Sequence, residues 1–128
     1  MADAYYHPYR KALTSAQMQT NALWLKNYLL PRGWTLNAIA ACLGNWQSEC
    51  TLNPNRPQRA GYPQDGKGGF GLAQWTSWSR KYGAWCKSQN IYNVANDNNP
   101  AGRMEPQIAY HDYECTYGIN GGRTWYGN

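Results

Sequence analysis

Ala38-Ile39-Ala40-Ala41-Cys42-Leu43-Gly44-Asn45-Trp46-Gln47-Ser48-Glu49-Cys50-Thr51-Leu52-Asn53-Pro54 is the stretch whose reading decides the fold. Ile39, Leu43, Trp46 and Cys50 recur at i, i+4, i+7 and i+11, the apolar stripe of an amphipathic helix. Thr35 precedes it as a good N-cap, because its hydroxyl can accept from a free amide of the first turn. Pro54 disfavours helical geometry at Asn53, so the spacing predicts a helix end near Cys50 or Thr51. Glu49 then lies in the last turn, about 80° around the helix from Ile39 and at the edge of the stripe.

Upstream, a second helix is expected from Thr14 or Ser15, with Met18, Ala22, Leu25 and Leu29 on one face. Leu30-Pro31-Arg32-Gly33 ends it, since proline cannot continue a helix and glycine supplies the turn. Two helices joined by so short a loop make an αα-hairpin. Residues 1–13 read as a Tyr-rich arm. Downstream, residues 53–74 hold most of the turn-formers, and a connection of that length is usually functional or carries a small hairpin, with Asp65-Gly66 as the turn signal. A third helix is expected over 77–88, capped by Thr76, with Trp78, Tyr82 and Trp85 on one face. Asn93 to Asn99 reads as polar linker. A fourth helix is expected over 106–115, with Ile108 and Cys115 inward. The tail 119–128 gives no clear reading. The pattern is mainly α, an α+β arrangement in which the Gly-rich loop or a small β-hairpin forms one wall of a cleft, in a single domain spanning 1–128.

Composition narrows the function. The 128 residues suffice for one domain with a real core. There is no run of ~18 apolar residues to span a membrane, and no apolar segment of a secretion signal follows Met1. Aromatic and charged residues each make up 15% of the chain, with 7 Trp and 11 Tyr, which suits a hydroxyl-rich ligand such as a glycan, or a large interface. The net charge of +5 favours an anionic partner, but the basic residues are scattered, which argues against nucleic acid. Cys42, Cys50, Cys86 and Cys115 contain no C-x-x-C, so neither a structural zinc nor any other metal or cofactor is expected. Cys42 and Cys50 share a helix about 12 Å apart, too far for a disulfide, so a bond would have to join different helices, with Cys86–Cys115 the candidate.

Among the carboxylates, Asp3 falls in the arm, Asp97 in the linker, Glu105 at a helix start, and Asp112 and Glu114 along a helix, all compatible with structural duty. Glu49 differs. The negative end of its helix dipole and the apolar flank both disfavour the ionised carboxylate, the direction a general acid at neutral pH requires. The Gly-rich loop that follows lacks the Lys-Ser/Thr ending of a phosphate loop, and reads better as a cleft wall whose backbone can approach a sugar. In Gln74 and Trp75 it ends on an amide that can bond sugar hydroxyls and an indole that can stack on a pyranose ring. The two histidines lie near no nucleophile motif, which argues against Ser-His or Cys-His chemistry.

Residues 38–54, followed by Gly69-Phe70-Gly71-Leu72-Ala73-Gln74-Trp75-Thr76, resemble the phage tail lysozyme family, and Met18 through Thr35 is similar to that family's opening helix and turn. The resemblance is strong over 14–85 and weakens through 103–117. It implies a lysozyme-like fold, peptidoglycan hydrolysis, a virion-associated tail location and other phage tail proteins as further partners. It puts the catalytic glutamate on Glu49 and the cleft-lining loop on Gly69 to Trp75. Asn53, Tyr62, Phe70, Gln74 and Trp75 form the expected substrate-binding set. Hydrolysis usually uses a second carboxylate, and Asp65 is the acid in the presumed cleft wall. Without it, a single-acid lytic transglycosylase is the nearest alternative. A non-catalytic wall-binding module and a structural tail protein are the readings from other classes. The family usually continues into further helices, so the chain is either a domain of a longer protein or closes its core differently. Cys50 stands where the family often has serine.

Overall fold

The computed structural model describes residues 5–58, 68–75 and 80–117. Helix α1 spans Ser15–Leu29 and is followed by a 3-10 turn, Leu30–Arg32. Helices α2, Leu36–Cys50, α3, Tyr82–Ser88, and α4, Met104–Tyr117, follow among the described residues, with a 3-10 turn at Pro100–Gly102 leading into α4. The fold is mainly helical, as a lysozyme-like domain requires. The β component among the described residues is one antiparallel bridge, Pro57 with Phe70; the hairpin turn expected at Asp65-Gly66 lies outside the described residues, as do the first residues expected of the third helix and the C-terminal tail.

Local sequence explains the helix ends. Thr14 and Gln17 form a reciprocal capping box, Gln17 N–H to Thr14 Oγ1 at 3.2 Å and Thr14 N–H to Gln17 Oε1 at 3.0 Å. Gly33 takes a left-handed φ of 93° where α1 stops. Thr35 caps α2 by accepting from Ala38 N–H at 3.1 Å.

Two apolar clusters flank α4. Leu25, Leu29, Ile39, Trp46, Leu52, Leu72, Met104 and Ile108 form the first, between the α1–α2 hairpin and α4. Phe70, Trp75, Tyr82, Cys86, Ala101 and Tyr110 form the second, beneath α3. Five carboxamides also have no solvent exposure: Asn21, Asn53, Asn55, Asn99 and Gln107. Each has partners at both ends of its amide, so burial leaves them satisfied. Gln107 Nε2 donates to the carbonyls of Pro54 and Ala101 while its Oε1 accepts from Leu72 N–H at 2.8 Å. Asn99 accepts from Val94 and Ala101 N–H and donates to Asn55 and Asn93, so the segment expected to be a plain polar linker is tied into the interior.

The described part of the arm is tied down as well. Asn53 Nδ2 donates to the carbonyls of Pro8 and Lys11 at 2.7 and 2.6 Å, and Asn55 Nδ2 to that of His7 at 3.1 Å. Asn21 bonds Tyr6 through both ends of its amide, and Tyr5 Oη donates to Glu105 Oε1 at 2.7 Å. All four cysteines are free thiols, so the Cys86–Cys115 bond considered from sequence is not formed. Cys86 belongs to the second cluster and Cys115 to the first.

Candidate active site

Glu49 is the penultimate residue of α2, and the chain reverses immediately after it. Thr51 and Leu52 both take left-handed conformations, φ 54° and 61°, which cost non-glycine residues on the order of 1–3 kcal/mol each. Tertiary hydrogen bonds hold the turn. Thr51 Oγ1 accepts from Leu13 N–H at 2.8 Å and from Arg56 Nη1 at 3.3 Å, and Asn21 Nδ2 donates to Leu52 O at 2.9 Å. The chain then runs through Asn53-Pro54-Asn55, where Asn53 Oδ1 accepts from Asn55 N–H at 2.9 Å, and Arg56 to Gln58 form one wall of a cleft.

The Gly-rich segment pairs with that stretch and extends the same wall. Gln58 N–H donates to Gly69 O at 2.9 Å and Gly71 N–H to Arg56 O at 3.1 Å, on either side of the Pro57–Phe70 bridge. Gly69 N–H donates to Gln58 Oε1 at 2.9 Å. Gly71 has φ 86°, and a Cβ there would stand 2.6 Å from Gln107 Oε1, so only glycine fits. The cleft holds about 290 Å³ and is lined by Glu49, Arg56, Pro57, Gln58, Gly69, Ala73 and Gln74.

Hydrogen bonding sorts the chain's seven acidic residues. Asp97 accepts from Tyr9 N–H at 2.7 Å, Glu105 from Tyr5 Oη, Asp112 from Trp34 Nε1 at 3.0 Å and Glu114 from Trp75 Nε1 at 3.0 Å. Burial raises the affinity of Glu114 for its proton, an effect opposed by the Trp75 N–H, but Glu114 does not line the cleft. Asp3 and Asp65 lie outside the described residues. Glu49 is exposed, faces the cleft, and has no hydrogen-bond partner among the described residues.

A family model described as phage tail lysozyme matches residues 20–125. The chain belongs to the phage tail lysozyme family. It is also similar to morphogenesis protein 1 of Bacillus phage B103, with 48% identity over 79 residues. That stretch is 62% of this chain and 21% of the phage protein, so the chain spans about a fifth of that relative.

Of the site residues expected from sequence, this phage tail lysozyme domain brings Glu49 and Gln74 to one cleft. Gln74 turns its Nε2 onto the carbonyls of Arg56 and Gly71, both at 2.8 Å, which braces the two paired segments against each other. Three of the expected substrate contacts are instead interior. Asn53 has no exposure because its amide clamps the arm. Phe70 has none because it anchors the second cluster. Trp75 is 6% exposed, its ring stacked on Tyr82 at 5.0 Å and its indole N–H on Glu114, so it offers no open platform to a sugar. Tyr62 and Asp65 lie outside the described residues. The apolar flank expected beside Glu49 does not enclose it: Ile39, Trp46 and Cys50 turn inward while the carboxylate faces solvent. Arg56 and Gln58 also line the cleft, and the sequence marks them only by their position after an Asn-Pro turn.

His111 lies against two thiols, its Nε2 3.7 Å from Cys42 Sγ and 3.6 Å from Cys115 Sγ. A Cys–His nucleophile needs a thiolate beside an imidazolium. Here burial works the other way. It raises the Cys42 thiol, pushes Cys115 up to about 12 and lowers His111 to about 4, the last opposed by Asp112. All three stay neutral, so the group is an interior packing element between α2 and α4. Among the described residues no three His, Cys, Asp or Glu side chains are arranged to hold a metal, and no helix is long and apolar enough to cross a membrane.

Proposed function

We propose that this domain is a muramidase: it cleaves the glycosidic bond from N-acetylmuramic acid to N-acetylglucosamine in bacterial peptidoglycan, with Glu49 as the general acid. The observation that carries the reading is the sorting of the acids. Four described carboxylates are engaged by other side chains or backbone, whereas Glu49 faces an open polar cleft from the end of a helix. Membership of the phage tail lysozyme family supports it.

Glu49 protonates the glycosidic oxygen as the bond to the muramic C1 breaks. The oxocarbenium-like centre is then captured by water, with Asp65 as the group proposed to activate it. Gln58, Gln74 and the backbone of Gly69 supply the polar lining against which hydroxyl and N-acetyl groups can be oriented. The domain acts from the virion, during entry or lysis, alongside other tail components. A lytic transglycosylase is the second reading, favoured by Glu49 being the one carboxylate among the described residues of the cleft. In that case the muramic 6-hydroxyl captures the same centre intramolecularly and the product ends in an anhydro sugar.

Glu49→Gln keeps the shape and removes the proton. Loss of a positioned general acid typically costs at least ~10²-fold. Turbidity clearing of purified walls measures the loss, and mass spectrometry of the digest separates reducing from anhydro ends. Clearing by the folded mutant within tenfold of wild type would overturn the assignment.

A further inference from the structure

Arg56 places a cation in the same cleft as Glu49, and the proposed glycosidase does not use it. The remaining described lining residues, Pro57, Gln58, Gly69, Ala73 and Gln74, are uncharged. The guanidinium is held on the turn that follows Glu49 by its 3.3 Å bond to Thr51 Oγ1. Thr51 Oγ1 is itself fixed, donating to Cys50 O at 2.6 Å and accepting from Leu13 N–H. The backbone of Arg56 is equally anchored, its carbonyl accepting from Gly71 N–H and Gln74 Nε2. No ion pair joins Arg56 to Glu49. Cation and acid therefore line one cleft without pairing to each other. One hydrogen bond to Thr51 leaves most of the five donors of the planar fork for a ligand. Such a fork matches a carboxylate bidentately.

We propose that Arg56 is a specificity-determining residue that reads a carboxylate carried by the muramic acid ring whose bond Glu49 attacks. The carboxylate has two sources: the lactyl group itself, free when the ring carries no peptide, or the acidic residues of an attached stem peptide. This inference rests on the muramidase reading, since it names the part of the substrate that Arg56 recognises.

Binding, rather than cleavage, tests it. Three disaccharides serve as probes, none of which contains the muramic-to-glucosamine bond: N-acetylglucosaminyl-N-acetylmuramic acid, the same disaccharide with its stem peptide, and neutral N,N′-diacetylchitobiose. Calorimetric titration of the whole chain should show at least one of the two charged probes binding about tenfold or more tighter than chitobiose, as a charge-assisted hydrogen bond supplies. Whichever charged probe carries the advantage identifies the source of the carboxylate. Arg56→Gln should bring it to within about twofold of chitobiose, leave chitobiose binding unchanged, and flatten the salt dependence. Arg56→Lys should recover part of it. Equal weakening of all three probes in the folded Arg56→Gln protein, or no charge preference in the wild type, would overturn the proposal. Failure of the muramidase reading shows separately, as a wild type that releases no sugar from whole walls.

Discussion

His111 makes acid stability a quantitative test of the fold. Its ring stands edge-on to Trp46, with centroids 5.0 Å apart, and tilted against Trp34 at 5.5 Å. Its Nδ1 is buried without a hydrogen-bond partner, so a second proton would have no acceptor. Burial lowers the group from its ordinary 6.5 to about 4, with Asp112 opposing the shift. A histidine lowered in the folded state is protonated in the unfolded chain first. Stability is therefore complete above pH 6.5, falls by about 1.4 kcal/mol per pH unit below it, and levels off near pH 4, a loss of about 3 kcal/mol in all. His111→Phe keeps a ring between the tryptophans and removes the titration. Urea unfolding of both proteins at half-unit steps from pH 8 to 4 isolates the effect by difference. The curves should run parallel above pH 6.5 and then converge or cross, the variant gaining on the wild type by about 3 kcal/mol. Curves that stay parallel down to pH 4.5 would show that His111 is solvated or partnered, and that the contact between α2 and α4 is not packed as described.

Three further outcomes can be checked. Gln107→Leu strands the carbonyl of Pro54 and the amide of Leu72, while the Ala101 carbonyl keeps the Tyr82 hydroxyl; at about 1–3 kcal/mol per buried unpaired group it should cost about 2 kcal/mol or more, read by denaturant midpoint. A midpoint within about 1 kcal/mol of wild type would mean that water enters there. Gly71→Ala forces a left-handed φ on a residue whose new Cβ meets Gln107 at 2.6 Å, so activity on walls and melting temperature should fall together, and an unchanged melting temperature would refute the close approach. Asp65→Asn should abolish most release of reducing ends if water is activated there, and should leave anhydro products nearly untouched if the muramic hydroxyl is the nucleophile. A fully active variant that still makes reducing ends would remove Asp65 from the mechanism.

What was legible in the sequence is what local chemistry decides. Thr14 and Thr35 cap helices because a hydroxyl next to free amides has few better options, and of the Ile39–Leu43–Trp46–Cys50 stripe all but the half-buried Leu43 are fully interior. The position of Glu49 at the end of α2 follows from the same period and from Pro54. Misreadings arose where burial depends on distant chain. Trp75 and Phe70 look like sugar platforms until α3 and α4 cover them, and Asn53 looks like a ligand until the arm is laid across it. No spacing rule marks Asn21, Asn55, Asn99 and Gln107 as interior, because each has a partner far off in sequence, up to 53 positions away for Gln107. The third helix is shorter among the described residues than its aromatic face suggested, running from Tyr82.

The arm has a practical bearing on where this phage tail lysozyme domain can be cut. The stretch matched by the family model starts at residue 20, and an engineer grafting the domain onto another phage or a therapeutic fusion would be tempted to cut there. Such a cut would leave Asn21, Asn53 and Asn55 facing missing backbone partners at Tyr6, His7, Pro8 and Lys11, and would take away the Leu13 amide that steadies Thr51 beside Glu49. The minimal transplantable unit therefore reaches back to Tyr5, whose hydroxyl closes the far end of the strap on Glu105. In a ribosome's order of events the turn behind Glu49 has its Leu13, Asn21 and Arg56 partners as soon as residue 56 has emerged, whereas the Tyr5 end of the strap waits for Glu105 on α4.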